Sequence, residues 1–181
     1  MKFKTVEKFN SNKLDYDQYY TPHDTMEYCV NKSRDIIRDL GYEVSEFLEP
    51  SAGEGIFSDY LLDSGLNVIA MDLFPKNEHI IKQDFLTCEI EYKPNRFIIG
   101  NPPYGSKFSL GIKFYNKACE LGDYISFILP IRQLNNTNVL YKFDLVYSED
   151  LGKITFSNSK KVHCCLNVYV RPKNGLNKKK K

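Results

Sequence analysis

Apolar residues recur with two different periods along the chain, and the two periods predict strands alternating with helices. Five short apolar runs bounded by turn residues predict strands, at 46–50, 67–72, 79–84, 96–101 and 124–130. Three stretches with apolar residues three and four apart predict helices, over 25–40, 56–65 and 112–122. Strands that alternate with helices are typical of a parallel α/β sheet with right-handed crossovers.

The last third of the chain has a different pattern. Apolar runs at 143–148, 153–157 and 163–170 predict strands with no helix between them, so we expect an antiparallel edge on the sheet. The preceding stretch, 132–143, has no period that assigns it to a helix or a strand.

The composition favours one soluble α/β domain. The chain has 181 residues, 42% of them hydrophobic, which is enough for one core, and we expect a single domain over 1–176. It has no run of about 18 apolar residues and no apolar signal-peptide core, so we expect a cytoplasmic protein without a membrane span. Its five cysteines are odd in number and have no CxxC spacing, so we expect reduced thiols and no metal site.

Charge is distributed unevenly. The net charge is +2, but residues 153–181 contain nine Lys and Arg and no Asp or Glu, which leaves 16 − 23 = −7 for the rest of the chain. Such a basic end can lower the cost of approaching a polyanion. The alternative is a solvated tail, and the composition of 177–181 predicts a basic, disordered end.

A turn with two glycines, in "FLEPSAGEGIF" (47–57), follows the first predicted strand and precedes a helix. This arrangement brings the backbone close to a nucleotide-like ligand. The third glycine of a dinucleotide fingerprint is replaced by Ser58, and Glu49 and Glu54 would repel phosphates. S-adenosylmethionine, which has an adenosine and a cationic end, suits the turn better; a turn that serves packing alone is the alternative.

Acidic residues also end the next two predicted strands. Asp72 lies 17 residues beyond Gly55, where an acid commonly accepts ribose hydroxyls. Asp84 and Phe85 end the third strand, where a carboxylate can accept from an adenine amine and a ring can cover the base. Each could instead be a cap or turn residue, but three successive strands that end in an acid favour a binding site.

The stretch "FIIGNPPYGSKF" (97–108) ends a buried strand in a polar cluster. The side-chain carbonyl of Asn101 and the backbone carbonyl of Pro102 provide two acceptors, and the prolines provide no competing donor. Two acceptors suit a planar amine with two hydrogens, because accepting both protons favours a pyramidal nitrogen with a free lone pair. Tyr104 offers a stacking face for a base turned out of a duplex. A simple turn is the alternative.

The chain resembles the amino-methyltransferases that use S-adenosylmethionine and, within them, the N6-adenine DNA methyltransferases. Their tetrapeptide [DNS]-P-P-[YFW] matches residues 101–104, and their glycine motif resembles "EPSAGEG". The N-terminal "YYTP" (19–22) resembles the segment that packs over the methionine end of the cofactor. "YISFILP" resembles a later strand, and "VHCCLNVYV" resembles the hairpin strand that walls the base pocket. The match spans about residues 17 to 172.

The resemblance implies a Rossmann-like class I methyltransferase fold, with a mostly parallel seven-stranded sheet, an antiparallel edge hairpin strand and flanking helices. It implies S-adenosyl-L-methionine as the cofactor, with Glu49 facing the methionine ammonium. The implied cofactor-binding residues are Tyr20, Thr21, Pro22, Glu49, Ser51, Ala52, Gly53, Asp72, Leu73, Asp84, Phe85 and Asn101. The implied catalytic residues are Asn101, Pro102 and Tyr104, and the implied substrate-binding residues are Pro103, Tyr104, Gly105 and Lys107.

The sequence departs from the family in one respect: members that read a DNA site usually append a target-recognition domain, and here nine residues follow Pro172. We therefore expect specificity to come from loops 105–111 and 132–141 or from a partner subunit, or to be slight. DNA is the expected substrate. The alternatives are adenine in RNA, a protein glutamine amide, and a non-catalytic subunit that only binds a partner. Richness in Lys, Asn and Ile is typical of an AT-rich phage or bacterial genome, where such enzymes serve restriction–modification.

Overall fold

The computed structural model describes residues 20–180, which form a seven-stranded sheet between helical layers. Tyr19, the first residue of "YYTP", lies outside the described residues, as do 1–18 and Lys181. The helices are α1 (His23–Asp39), α2 (Ile56–Asp63) and α3 (Ser109–Leu121). The strands are β1 (Glu46–Glu49), β2 (Val68–Asp72), β3 (Ile81–Lys82), β4 (Arg96–Gly100), β5 (Tyr124–Pro130), β6 (Asp144–Thr155) and β7 (Lys161–Val170).

The strand order is β3-β2-β1-β4-β5-β7-β6. The first five strands in this order are mutually parallel, and β7 pairs antiparallel with both β5 and β6. The order and the directions confirm the predicted fold class, including the antiparallel edge.

The core lies in two layers, one on each face of the sheet. Phe97 and Ile99 of β4 point to the face covered by α1 and α2, whereas Ile98 between them points to the face covered by α3. This alternation follows from the two-residue period of a strand. Both faces of the central strands are apolar because both are covered, which explains why those strands read as continuous apolar runs.

The strand order reverses between β1 and β4, which are neighbours although β2 and β3 come between them in the chain. Crossovers leave β1 and β4 to opposite faces of the sheet, so a crevice opens at their carboxyl ends. β1 ends at Glu49 and β4 ends at Gly100. The glycine turn and Asn101 therefore lie side by side at this end of the sheet.

Two predicted strands near the end of the chain were wrong as separate elements. The stretches 143–148 and 153–157 belong to one long strand, β6, which pairs with β7 along its length. Two register shifts interrupt the pairing, and the second is stabilised by a hydrogen bond from the Gly152 amide to Asp150 Oδ1 (2.7 Å). Glu149 and Asp150, which lie between the two predicted strands, are tolerated because β6 is an edge strand with bulges.

The third predicted strand is also much shorter than expected. Only Ile81 and Lys82 of the stretch 79–84 pair with β2, at its carboxyl end. Asp84, two residues after Lys82, caps a 3₁₀ turn at Phe85–Thr87 through its side chain. A capping aspartate ends the strand because its carboxylate accepts hydrogen bonds from nearby backbone amides, which then do not pair with the neighbouring strand.

The end of the chain lies on the domain near the amino ends of the parallel strands. The Asn177 amide donates to the Lys142 carbonyl (2.9 Å), and its side chain donates to Asp144 Oδ1 (2.8 Å). Asn177 is therefore attached to the start of β6. The predicted disorder of the lysines that follow it stays a prediction.

Three further properties concern residues 20–180. Every cysteine in this part of the chain is buried with a free thiol. No helix there has the length and apolar character needed to cross a membrane, and no group of three or more His, Cys, Asp and Glu side chains is arranged to hold a metal ion.

Candidate active site

A pocket opens at the carboxyl ends of β1, β2 and β4, with about 890 Å³ of empty space that includes its opening to solvent. Most of the sequence-predicted site residues line it: Tyr20, Thr21, Glu49, Ser51, Ala52, Gly53, Asp72, Leu73, Asp84, Phe85, Asn101, Pro102 and Pro103. Four others, Pro22, Tyr104, Gly105 and Lys107, do not line this pocket. Pro22 is instead the residue that precedes α1 and accepts a hydrogen bond from the Met26 amide (3.0 Å).

Several lining residues were not among the site residues predicted from the sequence. They are Pro50, Glu54, Ile56, Phe57, Phe74, Gln83 and Phe114. Phe74 carried a local signal in the sequence, its place two residues after the acid that ends β2. In the structure its ring is 51% exposed, which is unusual for phenylalanine. Phe114 carried none, since it comes from α3 and reaches the pocket only through the tertiary fold.

Asp72 holds the glycine turn in place. Its Oδ2 accepts a hydrogen bond from the Gly53 amide (2.8 Å), and its Oδ1 accepts one from the Phe74 amide (2.7 Å). Gly53 has a φ of +54°, and a Cβ added there would lie 3.0 Å from Cε1 of the Tyr20 ring. A side chain at position 53 would therefore both strain the backbone and push Tyr20 out of place. Each oxygen of Asp72 keeps a lone pair for a ligand hydroxyl.

Glu49 is a buried carboxyl group at the bottom of the pocket. It is 1% exposed, and within residues 20–180 its Oε2 has no hydrogen-bond partner. Burial raises the pKa of Glu49 to about 8, against the opposing effect of hydrogen bonds from Ser58, and the negative charges of Asp72 and Asp59 raise it further. Glu49 is therefore largely protonated at neutral pH, and a cation in the pocket would favour its ionised form.

The predicted pair at the end of the third strand has a double role. Asp84 is 7% exposed, and its Oδ1 accepts a hydrogen bond from the Leu86 amide (2.9 Å), so its carboxylate keeps acceptor capacity for a ligand. Phe85 is 1% exposed and packs against Phe114 with ring centroids 5.2 Å apart. The Phe85 ring is thus a core residue that also forms part of the pocket wall.

Asn101 has one buried acceptor without a donor. Its side-chain Nδ2 donates to Thr21 Oγ1 (3.3 Å), and its backbone carbonyl accepts from Ser51 Oγ (3.1 Å). The side-chain Oδ1 is buried and has no partner among the described residues. A buried carbonyl without a partner costs free energy, so its presence at the edge of a pocket indicates a donor that arrives with a ligand.

Tyr104 lies beside the pocket rather than in its wall. Its hydroxyl donates a hydrogen bond to the Ile128 carbonyl (3.1 Å) and lies 3.8 Å from Cys164 Sγ. Its ring packs edge-on against the Phe108 ring, with the ring centroids 6.1 Å apart. The loop that follows is strained, because Lys107 (φ +51°) and Phe108 (φ +65°) both adopt left-handed backbone conformations. Tyr104 is thus held between the end of β4 and the start of β7. Strained backbone of this kind is concentrated at functional sites.

The comparisons with known proteins agree with this fold. No family model matches the chain. A curated relative, the ribosomal RNA small subunit methyltransferase A of Mesomycoplasma hyopneumoniae, is 32% identical over 81 residues, which cover 38% of this chain and 31% of the relative. The match thus spans about a third of the relative's length.

Solved structures match over more of the chain. A proposed RNA methyltransferase from Pyrococcus horikoshii superposes with a TM-score of 0.63 at 16% identity, covering 92% of each chain. Magnesium protoporphyrin IX methyltransferase from Synechocystis with bound S-adenosylmethionine superposes with a TM-score of 0.56 at 9% identity, covering 82% of this chain and 80% of that one. The chain therefore has the Rossmann-like methyltransferase fold.

Proposed function

We propose that this protein transfers a methyl group from S-adenosylmethionine to the exocyclic N6 amine of adenine in a nucleic acid, with DNA as the first candidate. The observation that carries the proposal is the buried Oδ1 of Asn101, an acceptor that has no donor among the described residues and lies at the edge of the pocket. A methyltransferase fold whose pocket ends in such an acceptor suits an amine as the group to be methylated.

The character of the pocket supports S-adenosylmethionine as the cofactor. Four acidic residues line it, Glu49, Glu54, Asp72 and Asp84. Acidic groups repel the phosphates of a dinucleotide and attract a sulfonium and an ammonium. A solved structure with the same fold holds this cofactor.

Pocket residues can be matched to the ribose, the adenine and the methionine end of that cofactor. Asp72 would accept hydrogen bonds from the ribose hydroxyls. The exposed ring of Phe74 would cover the adenine, and Asp84 would accept a hydrogen bond from the adenine amine. Glu49, at the closed end of the pocket, would face the methionine ammonium and lose its proton as the cation arrives. Tyr20, which lies over Gly53, would pack against the same end.

The transfer itself requires no titrating base on the protein. Asn101 Oδ1 and the Pro102 carbonyl would each accept one hydrogen of the target amine, which directs the nitrogen lone pair at the methyl carbon. The nitrogen–carbon bond forms as the sulfur–carbon bond breaks, and the sulfur keeps the bonding electrons, giving neutral S-adenosylhomocysteine. The methylated nitrogen is then cationic and strongly acidic, so it loses a proton to water.

The target base would stack on Tyr104 after leaving its helix. The Tyr104 ring is fixed at its hydroxyl end by Ile128 and at its edge by Phe108. A ring held in this way is a preformed platform, and stacking on an aromatic ring contributes about 1–3 kcal/mol per base. Turning a base out of its duplex is the route by which enzymes reach an amine that pairing would hide.

DNA and RNA remain as the two candidate substrates. The tetrapeptide at 101–104, together with "YYTP" ahead of the glycine motif, resembles the DNA enzymes. Adenine in RNA is favoured by the name of the curated relative, a ribosomal RNA methyltransferase, and by that of the Pyrococcus protein. The protein glutamine amide has no comparable support, and it is kept as an arm of the test.

The test uses S-adenosylmethionine tritiated on the transferred methyl group. The purified chain is incubated separately with AT-rich duplex DNA, with total RNA and with a glutamine-containing peptide, and Asn101→Ala purified in the same way is the control. We expect label in a nucleic acid and N6-methyladenine among its digested nucleosides. Label on cytosine C5, or on the peptide alone, would contradict the proposal. Cofactor binding with no transfer in any arm would indicate a non-catalytic subunit or a missing specificity partner.

A further inference from the structure

The basic residues after position 152 fall into two groups at opposite ends of the sheet. Thr155 pairs with Lys161 at the turn between β6 and β7, and this turn carries the first group, Lys153, Lys160 and Lys161. Asp144 pairs with Val170 at the other end, where the second group follows, Arg171, Lys173, Lys178, Lys179 and Lys180. The two bonds made by Asn177 to Lys142 and Asp144 keep the second group at that end.

The β6–β7 turn lies at the same end of the sheet as the candidate active site. Pro130, the last residue of β5, pairs with Cys164, so β7 begins where the parallel strands end. Two contacts join the hairpin to the site. The Ser157 amide donates to the Tyr20 carbonyl (3.3 Å), and Cys164 Sγ lies 3.8 Å from the Tyr104 hydroxyl.

Further cations project at this end of the sheet. Lys107, in the loop after Tyr104, and Arg132, in the turn after β5, are both exposed. On the hairpin, Lys153 pairs with His163 and lies on the same face as Lys161, which is two residues before His163; both lysines are exposed. The acid on this part of the hairpin is Asp150, whose Oδ1 lies 2.7 Å from His163 Nε2. Within residues 150–163 of the hairpin, three lysines therefore face one acid.

We propose that Lys153 and Lys161, with Lys107 and Arg132, form the surface that contacts the phosphates of the nucleic-acid substrate, and that the C-terminal lysines do not. The proposal rests on the proposed function. Contacts to phosphates fix the position of a nucleic acid without reading its sequence, and cations on both sides of Tyr104 would hold the strand while one base enters the site. This corrects the simplest interpretation of the sequence, in which the densest run of lysines, 178–181, would contact the polyanion.

The test compares two charge-matched double variants. Lys153→Gln/Lys161→Gln removes two cations from the hairpin, and Lys178→Gln/Lys179→Gln removes two from the C-terminal segment. Binding of fluorescein-labelled duplex DNA and single-stranded RNA is measured over a range of salt concentrations. If both hairpin lysines contact phosphates, the slope of log K against log salt should fall by about 1.8 on the duplex and about 1.4 on the single strand. The C-terminal variant should keep the wild-type slope on both.

The outcomes separate this inference from the proposed function. An unchanged slope for the hairpin variant, or an equal fall for the C-terminal variant, would overturn the inference even if wild-type protein methylates nucleic acid. Absence of methyl transfer to any nucleic acid would instead contradict the proposed function. The substrate is identified as DNA or RNA by two results that must agree. On that nucleic acid the hairpin variant shows a smaller slope of log K against log salt, and to it the wild-type protein transfers label. Urea denaturation of both variants checks that neither change acts through stability.

Discussion

Thr21 and Asn101, 80 positions apart in the chain, are joined by a hydrogen bond in which Asn101 Nδ2 donates to Thr21 Oγ1 over 3.3 Å. The bond fixes the orientation of the Asn101 amide and leaves its Oδ1 as the buried atom without a donor. Thr21 is 5% exposed, so water does not readily replace it as the acceptor. The segment that resembles the cofactor-covering part of the family thus also positions the proposed catalytic amide.

Thr21→Val should slow methyl transfer, because it removes the acceptor and frees the Asn101 amide to turn. A neutral hydrogen bond contributes about 0.5–1.5 kcal/mol, so we expect a fall in kcat of roughly threefold to tenfold. Thr21→Ser keeps the hydroxyl and should restore most of the rate. Single-turnover kinetics with saturating cofactor measure the effect, and equal rates for the two variants would show that the hydroxyl has no positioning role.

Asn101→Ala should lower the rate of methyl transfer by about 10² or more, because it removes an acceptor that acts on the amine as its nitrogen becomes pyramidal. The affinity for S-adenosylmethionine should stay within about threefold, since the lost interaction belongs to the transition state. Asn101→Asp keeps an acceptor oxygen and should retain more activity than alanine. Full activity in the alanine variant would exclude the proposed role of Asn101.

Asp72→Ala should weaken both the cofactor site and the fold around it. Loss of a charge-assisted hydrogen bond costs about 1.5–3 kcal/mol, so affinity for S-adenosylmethionine should fall at least about tenfold. The change also removes the acceptor of the Gly53 and Phe74 amides, and the free energy of unfolding should fall by about 1–3 kcal/mol.

Calorimetry and urea denaturation measure the two effects of Asp72→Ala separately. Asp63→Ala, at an exposed position at the end of α2, is the matched control and should change neither quantity. Unchanged cofactor affinity in a folded Asp72→Ala protein would remove Asp72 from the cofactor site.

The strand ends and the residues that follow them could be predicted from sequence because their signals are local. An apolar run ends, and an acid, a glycine or the Asn-Pro-Pro stretch follows; in a parallel sheet these ends must meet at one edge. The residues at the ends of β1, β2 and β4 accordingly line one pocket.

Features that depend on distant pairing could not be predicted in this way. Residues 149–152 separate two predicted strands, yet they continue β6 because β7 supplies a partner along its whole length. The contribution of Phe114 to the pocket depends on how α3 packs, and the separation of the two basic groups depends on the direction of β7. None of these carries a local signal, because contacts between segments that are distant in the chain decide each of them.

Glu49 should make the stability of the protein fall as the pH rises. The pKa of this carboxyl is about 8 in the folded protein because burial disfavours its charge, against an ordinary value near 4.5 when the chain is unfolded. Between these two pH values the folded state keeps a proton that the unfolded state has released, so raising the pH favours unfolding. One such group lowers the free energy of unfolding by at most about 1.4 kcal/mol per pH unit, and this fall stops once the pH exceeds the folded-state pKa.

Glu49→Gln is the variant that isolates this contribution, since a glutamine of the same shape stays neutral at every pH. Wild-type protein and variant should have similar unfolding free energies at pH 5, and the variant should become the more stable of the two as the pH rises to 8. Urea denaturation at pH 5, 6.5 and 8 measures the difference, with Glu54→Gln, at an exposed position of the same glycine turn, as the matched control. Parallel pH profiles for wild type and Glu49→Gln would mean that Glu49 is already ionised at neutral pH, and its proposed loss of a proton to an arriving cofactor ammonium would then be wrong.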